Sequence, residues 1–208
     1  MLEIIPTIIA KDFQEVEEKI KKLESHVDWV QLDIMDGKFV DNTTWNNPQD
    51  LSSLKTRLNL EAHLMIENPE DYIDDWINVG VGRIIFHYES TNKHKEIIEK
   101  LAKAKIEVAI AINPETSIDA LSSLLPISVL IMTVHPGRGG QEFIEDMIKK
   151  IKILREKYKN VNIGVDGGIN LKTAPKAIKA GANILNVGSV IWKSENIEET
   201  INKLKSCH

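Results

Sequence analysis

The chain has little of several features that mark other classes of protein. Its 208 residues include one cysteine, Cys207, so we expect neither a disulfide framework nor a cysteine metal site, and a reducing cytoplasm is the favoured location. Acidic residues outnumber basic ones by 31 to 26, a balance that gives no electrostatic footprint for nucleic acid or an anionic membrane. No apolar run is long enough to cross a bilayer, and we expect no signal peptide.

The chain also lacks a stretch rich in proline, glycine or serine, so we predict one domain over residues 1–208. Short β-branched runs alternate with segments that carry apolar residues at helical spacing. Eight runs are candidate strands: residues 4–9, 29–33, 58–65, 83–88, 107–112, 129–134, 162–166 and 184–187. An open doubly wound α/β sheet would produce the same alternation, but the count of eight favours a single (β/α)8 TIM barrel.

Polar residues recur where the predicted strands end. Period two places Gln31, Asp33 and Met35 on one face of the second strand, Glu61, His63 and Met65 on one face of the third, and Gly164 and Asp166 on one face of the seventh. In such barrels the carboxyl ends of the strands form the active site. We therefore predict an enzyme whose ionisable groups meet at this rim.

Two of these carboxylates suggest a reaction. If Asp33 and Asp166 flank one carbon beside a carbonyl, one removes a proton from one face while the other returns a proton to the opposite face. The charge that develops needs a metal or fixed hydrogen-bond donors, and His63 beside two carboxylates is a candidate metal ligand.

Glycine clusters follow the last three predicted strands, and they indicate a phosphate site. Their members are Gly137, Arg138, Gly139 and Gly140, then Gly167 and Gly168, then Gly188 with Ser189. Backbone N–H groups of such turns commonly bind phosphate. Each cluster alone would be read as a tight turn, and Arg138 is equally suited to a phosphate contact and to solvent.

Methionines and a histidine near the strand ends have two interpretations each. Met35, Met65 and Met132 are either core filler or an apolar wall around the reacting carbon. His87, on the fourth predicted strand, is favoured as a hydrogen-bonded core group over a ligand.

Several motifs, in order, resemble the ribulose-phosphate 3-epimerase family over essentially the whole chain. They are PTI at 6–8, LDIMDGKFV at 32–40, HLMI at 63–66, HYE at 87–89, NPET at 113–116, MTVHPG at 132–137, GGQ at 139–141, VDGG at 165–168 and GS at 188–189. The resemblance implies a barrel of the ribulose-phosphate-binding type. It also implies an isomerase, a carbohydrate-phosphate epimerase of the pentose phosphate pathway, which interconverts D-ribulose 5-phosphate and D-xylulose 5-phosphate.

The resemblance also assigns roles to residues. It makes Asp33 and Asp166 the acid/base pair and, with His63, the ligands of a divalent metal such as Zn, Fe or Mn. The late glycines and Ser189 would hold the phosphate of a small ketose phosphate, and Thr7 stands where the family usually has a serine that touches substrate. The family often forms dimers or larger rings, so a homo-oligomer is expected.

Gln31 departs from the family pattern, which normally has a metal-binding histidine at this position. A glutamine offers only a neutral amide oxygen, a weaker ligand for zinc or iron than imidazole. Three alternatives therefore stay open. They are a 3-epimerase of a hexulose 6-phosphate such as D-allulose 6-phosphate, a catalytically impaired phosphosugar-binding relative, and, last in rank because Met35 replaces the lysine it needs, a lyase.

Overall fold

The computed structural model describes residues 2–124 and 128–207. Eight strands form a closed barrel in the order of the chain. They are β1 (Glu3–Ile8), β2 (Trp29–Met35), β3 (Asn59–Met65), β4 (Arg83–His87), β5 (Glu107–Ile112), β6 (Ser128–Met132), β7 (Ile163–Asp166) and β8 (Ile184–Val187). The predicted (β/α)8 barrel is confirmed, and the strand ends differ from the predicted ones by one or two residues.

Helices separate most of these strands. Among the described residues they are α1 (Phe13–Leu23), α2 (Ile73–Asn78), α3 (His94–Lys103), α4 (Met147–Lys157), α5 (Ala174–Ala180), α6 (Ser189–Trp192) and α7 (Ile197–Lys205). Short 3-10 turns, Pro48–Ser53 and Ile118–Leu121, follow β2 and β5 instead of full helices. No helix in this part of the chain combines the length and apolar character that a bilayer crossing requires.

The chain divides into two compact units, and the first is the segment Thr7–Ile110. Within it β2 and β3 pair in parallel along their full length, from Trp29 opposite Asn59 to Met35 opposite Met65. Helix α1 begins at the cap of Asp12, whose side chain accepts the Glu15 N–H, and buries its apolar stripe. The long register of β2 with β3 fixes which of their side chains lie side by side.

The second unit is formed by described residues of the segments 1–6 and 111–208. Here β7 pairs with β6 on one side and with β8 on the other, so that Asp166 lies opposite both Met132 and Asn186. Helix α5 ends at Gly181, which adopts φ +118° as the left-handed cap. Arg155 packs where a Cβ of Gly181 would lie, so only glycine fits there.

Candidate active site

Side chains of β2 and β3 lie opposite one another in matched rows. The register pairs Gln31 with Glu61, Asp33 with His63, and Met35 with Met65. Because side chains alternate along a strand, these residues share one face of the sheet. Gln31 and His63 are completely buried, and Asp33 is 6% exposed. Polar groups this deeply buried require hydrogen-bond partners.

Gln31, Asp33 and His63 supply partners to one another. Gln31 Nε2 donates to Asp33 Oδ1 at 2.7 Å and lies 3.3 Å from His63 Nδ1. The same His63 nitrogen lies 3.2 Å from Asp33 Oδ1. The amide N–H group of Gln31 therefore contacts the two atoms that a cation at this place would take as ligands. If the amide turns over, it presents Oε1, a neutral acceptor, instead.

Thr44 holds the carboxyl end of β2 from the loop that follows it. Its Oγ1 donates to the Asp33 carbonyl at 2.8 Å and accepts from the Met35 N–H at 2.9 Å. The backbone on both sides of the Asp33 side chain is thereby fixed. Sequence reasoning gave Thr44 no role, because a hydroxyl eleven residues beyond Asp33 gives no signal until the loop folds back.

Asp36 is structural rather than part of the cluster. Its Oδ1 accepts the N–H groups of Lys38 and Phe39, and its Oδ2 accepts that of Glu67. Partial burial raises the pKa of this carboxyl, but these hydrogen bonds outweigh burial and leave the pKa below its usual range. Asp36 thus ties the turn after β2, where Gly37 adopts φ +73°, to the segment after β3.

Glu61, the buried carboxylate one row further from the strand ends, is neutralised by an arginine. Arg83 Nη1 donates to Glu61 at 2.5 Å, and its Nε and Nη2 donate to Glu107 at 2.9 and 2.8 Å. Burial lowers the pKa of Arg83, but the two carboxylates outweigh it and raise the pKa. The guanidinium also lies 4.3 Å above the Trp29 ring. This network stabilises β3 and β4 and leaves Glu61 no free role in catalysis.

Asp166 ends β7 in the second unit, opposite Met132. Thr133, completely buried just after β6, donates to the Asp166 carbonyl through its N–H at 2.7 Å and its Oγ1 at 2.9 Å. The same hydroxyl donates to the Gly167 carbonyl. The end of β7 is therefore fixed by the loop after β6, as the end of β2 is fixed by Thr44.

Gly167 and Gly168 are required by the backbone whatever else they do. They adopt φ +111° and +66°, conformations that side chains disfavour. A Cβ on Gly167 would lie 2.3 Å from the Val134 side chain, and one on Gly168 would lie 2.5 Å from the Phe143 backbone nitrogen. The tight-turn interpretation of this cluster is correct as far as it goes, and the phosphate contact stays a prediction.

The other predicted phosphate residues lie in two further turns. After β6, Gln141 Nε2 closes a loop by donating to the carbonyls of His135 and Arg138, at 2.6 and 2.9 Å. In this loop Gly137 is buried, whereas the next three residues, Arg138, Gly139 and Gly140, are exposed. After β8, Gly188 immediately precedes the short helix α6, whose first residue is Ser189.

The remaining predicted substrate contacts lie on strands. Thr7 of β1 is 5% exposed and lies opposite Gln31 in the register of β1 with β2. Met35 and Met65 form a buried cluster with Val40, against which Phe39 packs. Met132 of β6 is also buried. A wall built jointly by the three methionines stays a prediction.

A candidate divalent-metal site is formed by three of the predicted ligands. Asp33, His63 and Asp166 each offer one ligand atom, and these atoms lie within 4.8 Å of one another. Two carboxylates and an imidazole are donors that zinc, iron and manganese accept, so these residues fit such an ion. The Gln31 amide N–H, directed at two of the same atoms, is the one feature that such an ion would have to displace.

His87 is the neighbour of this cluster that sequence reasoning did not connect to it. Its Nε2 lies 2.9 Å from His63 Nε2, and its ring is fully buried. The prediction of a hydrogen-bonded core group is therefore confirmed. Its position on the same face as His63, one strand along, was the available signal.

Comparisons with known proteins agree with the arrangement of these residues. The sequence profile of the Ribulose-phosphate 3 epimerase family matches residues 3–192. The ribulose-phosphate 3-epimerase of Schizosaccharomyces pombe is 35% identical over 98% of this chain and 92% of its own, and that of Treponema pallidum is 36% identical over 91% and 90%. The solved structure of 3-hexulose-6-phosphate synthase from Salmonella typhimurium superposes with a TM-score of 0.75 at 16% identity, over 99% of this chain and 98% of that one, a likeness of fold alone.

Proposed function

The chain belongs to the ribulose-phosphate 3-epimerase family, and we propose that it is an isomerase interconverting D-ribulose 5-phosphate and D-xylulose 5-phosphate. The observation that carries the proposal is the pair of strand-end aspartates, Asp33 and Asp166, grouped with His63 in a chain of this family. In the pentose phosphate pathway such an enzyme inverts one carbon of a ketose phosphate without oxidation or reduction.

Inversion at C3 requires two groups that exchange protons with opposite faces of the carbon. One aspartate removes the C3 proton, and the electron pair of the C–H bond moves toward the C2 carbonyl to give an enediolate. The other aspartate donates a proton to C3 from the opposite face, and the C2 carbonyl forms again. The reverse reaction exchanges the two roles, so each aspartate acts as base for one epimer.

Asp33, His63 and Asp166 would hold a divalent cation, with zinc, iron or manganese as the candidates. When bound, the cation supplies positive charge that stabilises the enediolate oxygens. Gln31 is the fourth neighbour, and its contribution as a ligand requires the amide to present Oε1. The hydrogen bonds of Thr44 and Thr133 to the strand ends keep the two aspartate backbones in place.

The phosphate of the substrate would be held by the turns after β6, β7 and β8. Backbone N–H groups at the glycines and at Ser189, with Arg138, are the proposed contacts, while Thr7 and the three methionines line the sugar. One solved relative in fold, KGPDC from Streptococcus mutans, was crystallised in complex with a phosphosugar ligand. A phosphate anchor at the end of the barrel would leave C3 beside the aspartates.

The proposal extends to organisation and location. Because a closed barrel needs all eight strands, we infer that residues 1–208 act as one domain. A homo-oligomer in the cytoplasm is also proposed, since a rice relative is named as the cytoplasmic isoform. Size-exclusion chromatography with light scattering would measure the oligomeric state.

Gln31 supports a second candidate function, a phosphosugar-binding protein with impaired catalysis. Its amide N–H contacts Asp33 Oδ1 and His63 Nδ1, atoms that the family reaction would give to a cation. For this alternative, ketose phosphates would raise the melting temperature while turnover stayed at background. Turnover well above background in the unaltered protein would exclude it.

Exchange of the C3 hydrogen in D₂O, followed by NMR, tests the proposal. Ribulose 5-phosphate should acquire deuterium at C3 and convert to xylulose 5-phosphate, with added Zn²⁺, Fe²⁺ and Mn²⁺ compared with a chelated sample. Asp33→Asn and Asp166→Asn should both stop epimerisation, yet each should still exchange the C3 hydrogen of one epimer, a different epimer in each variant. Allulose 6-phosphate, assayed in parallel, separates pentulose from hexulose specificity. Absence of exchange with every ketose phosphate and metal would contradict the proposal.

A further inference from the structure

The second ring nitrogen of His63 points away from Asp33 and toward another histidine. His63 Nε2 lies 2.9 Å from His87 Nε2, and the two rings are nearly parallel, at 14°. Two nitrogens at this distance form a hydrogen bond only if one carries a proton and the other does not. The proton on one histidine therefore determines the tautomer of the other.

The contacts at His63 Nδ1 indicate which nitrogen carries the proton. Gln31 Nε2, a donor, lies 3.3 Å from it, and a metal ligand must likewise present a lone pair there. With Nδ1 unprotonated, the neutral ring carries its proton on Nε2. His63 then donates to His87 Nε2, which must be the acceptor.

The same logic passes to the next residue along the chain. If His87 accepts at Nε2, its own proton lies on Nδ1, and that nitrogen lies 3.5 Å from Glu89 Oε2. A carboxylate accepts only, so Glu89 favours this tautomer of His87. The series Glu89, His87, His63 thus has one consistent arrangement of protons that leaves His63 Nδ1 free for a cation.

The turn after β4 is built to keep this series in place. The 3-10 turn Tyr88–Ser90 returns Glu89 toward His87, and the Ser90 hydroxyl donates to the His87 carbonyl at 2.8 Å. On its other side the His87 ring contacts Phe39, with ring centroids 4.8 Å apart. His87 is held by its backbone and its ring together.

We propose that His87 and Glu89 are positioning residues that fix the tautomer and ring orientation of His63, so that the Nδ1 lone pair faces Asp33 and Asp166. The inference rests on the proposed function, because it concerns the cation that His63 would help to hold. Neither residue touches the substrate in this proposal. Their effect is on how strongly the site binds a cation.

Zn²⁺ binding and histidine NMR test the proposal. His87→Phe keeps a planar ring but removes the acceptor, and we expect it to weaken Zn²⁺ affinity about 10-fold to 100-fold, as measured against a chromophoric chelator. His87→Gln offers Oε1 as acceptor and should recover most of that loss. His94→Phe is the matched control, because His94 stacks on Tyr88 at the same turn without contacting His63. ¹⁵N spectra of the Zn²⁺-loaded protein should show His63 protonated on Nε2.

Two results would overturn the proposal. One is a folded His87→Phe protein whose Zn²⁺ affinity equals that of the His94→Phe protein. The other is a wild-type spectrum with His63 protonated on Nδ1, which would mean that His63 donates to Asp33 and accepts from His87. The epimerase assay of the wild-type protein is a separate readout, so failure of the proposed function is not confused with failure of this inference.

Discussion

Replacement of Gln31 by leucine removes the amide from the buried cluster at nearly constant volume. In the structure Gln31 Nε2 donates at 2.7 Å to a carboxylate that is 6% exposed. A hydrogen bond to a charged group contributes roughly 1.5 to 3 kcal/mol, and relief of the buried amide offsets part of this, so we expect a net loss of about 1.5 kcal/mol. For a chain of this length that corresponds to a fall in melting temperature of roughly 3 to 6 °C.

The effect of a cation should have the opposite sign. A cation at Asp33 and His63 must first displace the Gln31 N–H group from both atoms, a step that Gln31→Leu no longer requires. We therefore expect saturating Zn²⁺ to raise the melting temperature of the variant more than that of the wild-type protein. For scale, a ligand at 100 times its dissociation constant stabilises by about 2.7 kcal/mol.

Differential scanning calorimetry with chelator and with Zn²⁺ measures both effects. Met35→Leu, a change of similar volume two residues along the same face, is the control and should cost less than about 1.5 kcal/mol without altering the Zn²⁺ effect. An unchanged melting temperature of Gln31→Leu in chelator would refute the hydrogen-bond argument. A smaller Zn²⁺ shift than in wild type would show that the Gln31 amide oxygen is a ligand, and would refute the displacement argument.

Three further changes give independent checks. Gln31→His supplies a fourth strong ligand, and isothermal titration should show Zn²⁺ binding at least about tenfold tighter, or 1.4 kcal/mol; unchanged affinity would count against a site at Asp33. Asp36→Asn should lower the free energy of urea unfolding at neutral pH. Since the lowered pKa of Asp36 contributes stability only above the unfolded-state pKa, the difference from wild type should shrink below about pH 4; a constant difference would contradict this. Gly168→Ala should cost more than about 1 kcal/mol, and more than Gly140→Ala, because both have positive φ but only Gly168 faces a backbone atom; equal losses would contradict the close approach.

Local patterns were enough to predict the fold and the position of the ionisable groups. Period-two alternation placed Asp33 and His63 on one face of adjacent strands, and the register of β2 with β3 agrees. The eight-fold repeat of strand and helix was visible because each strand is a short apolar run bounded by turn residues. The motifs from 6–8 to 188–189 added the family, which the comparisons support over residues 3–192.

The partners of each polar group depended on contacts between residues that are distant in the chain. Asp36 resembles Asp33 in sequence, yet its carboxylate is used by backbone N–H groups across the turn, one of them that of Glu67. Glu61 lies on the same face as His63, yet Arg83 neutralises it. No periodicity encodes such pairings, because they are set by strand register and by loops that fold back.

The sequence by itself therefore determined the barrel, the rim at which its charges end and the identity of Gln31 as the departure from the family pattern. Only the tertiary structure decided what that departure does, since the direction of the Gln31 amide is set by the two buried atoms it contacts. It also decided the role of His87, whose ring nitrogen meets that of His63 on the neighbouring strand. Alternation along one strand fixes which face a side chain occupies, whereas hydrogen bonding in a buried site depends on all the strands around it.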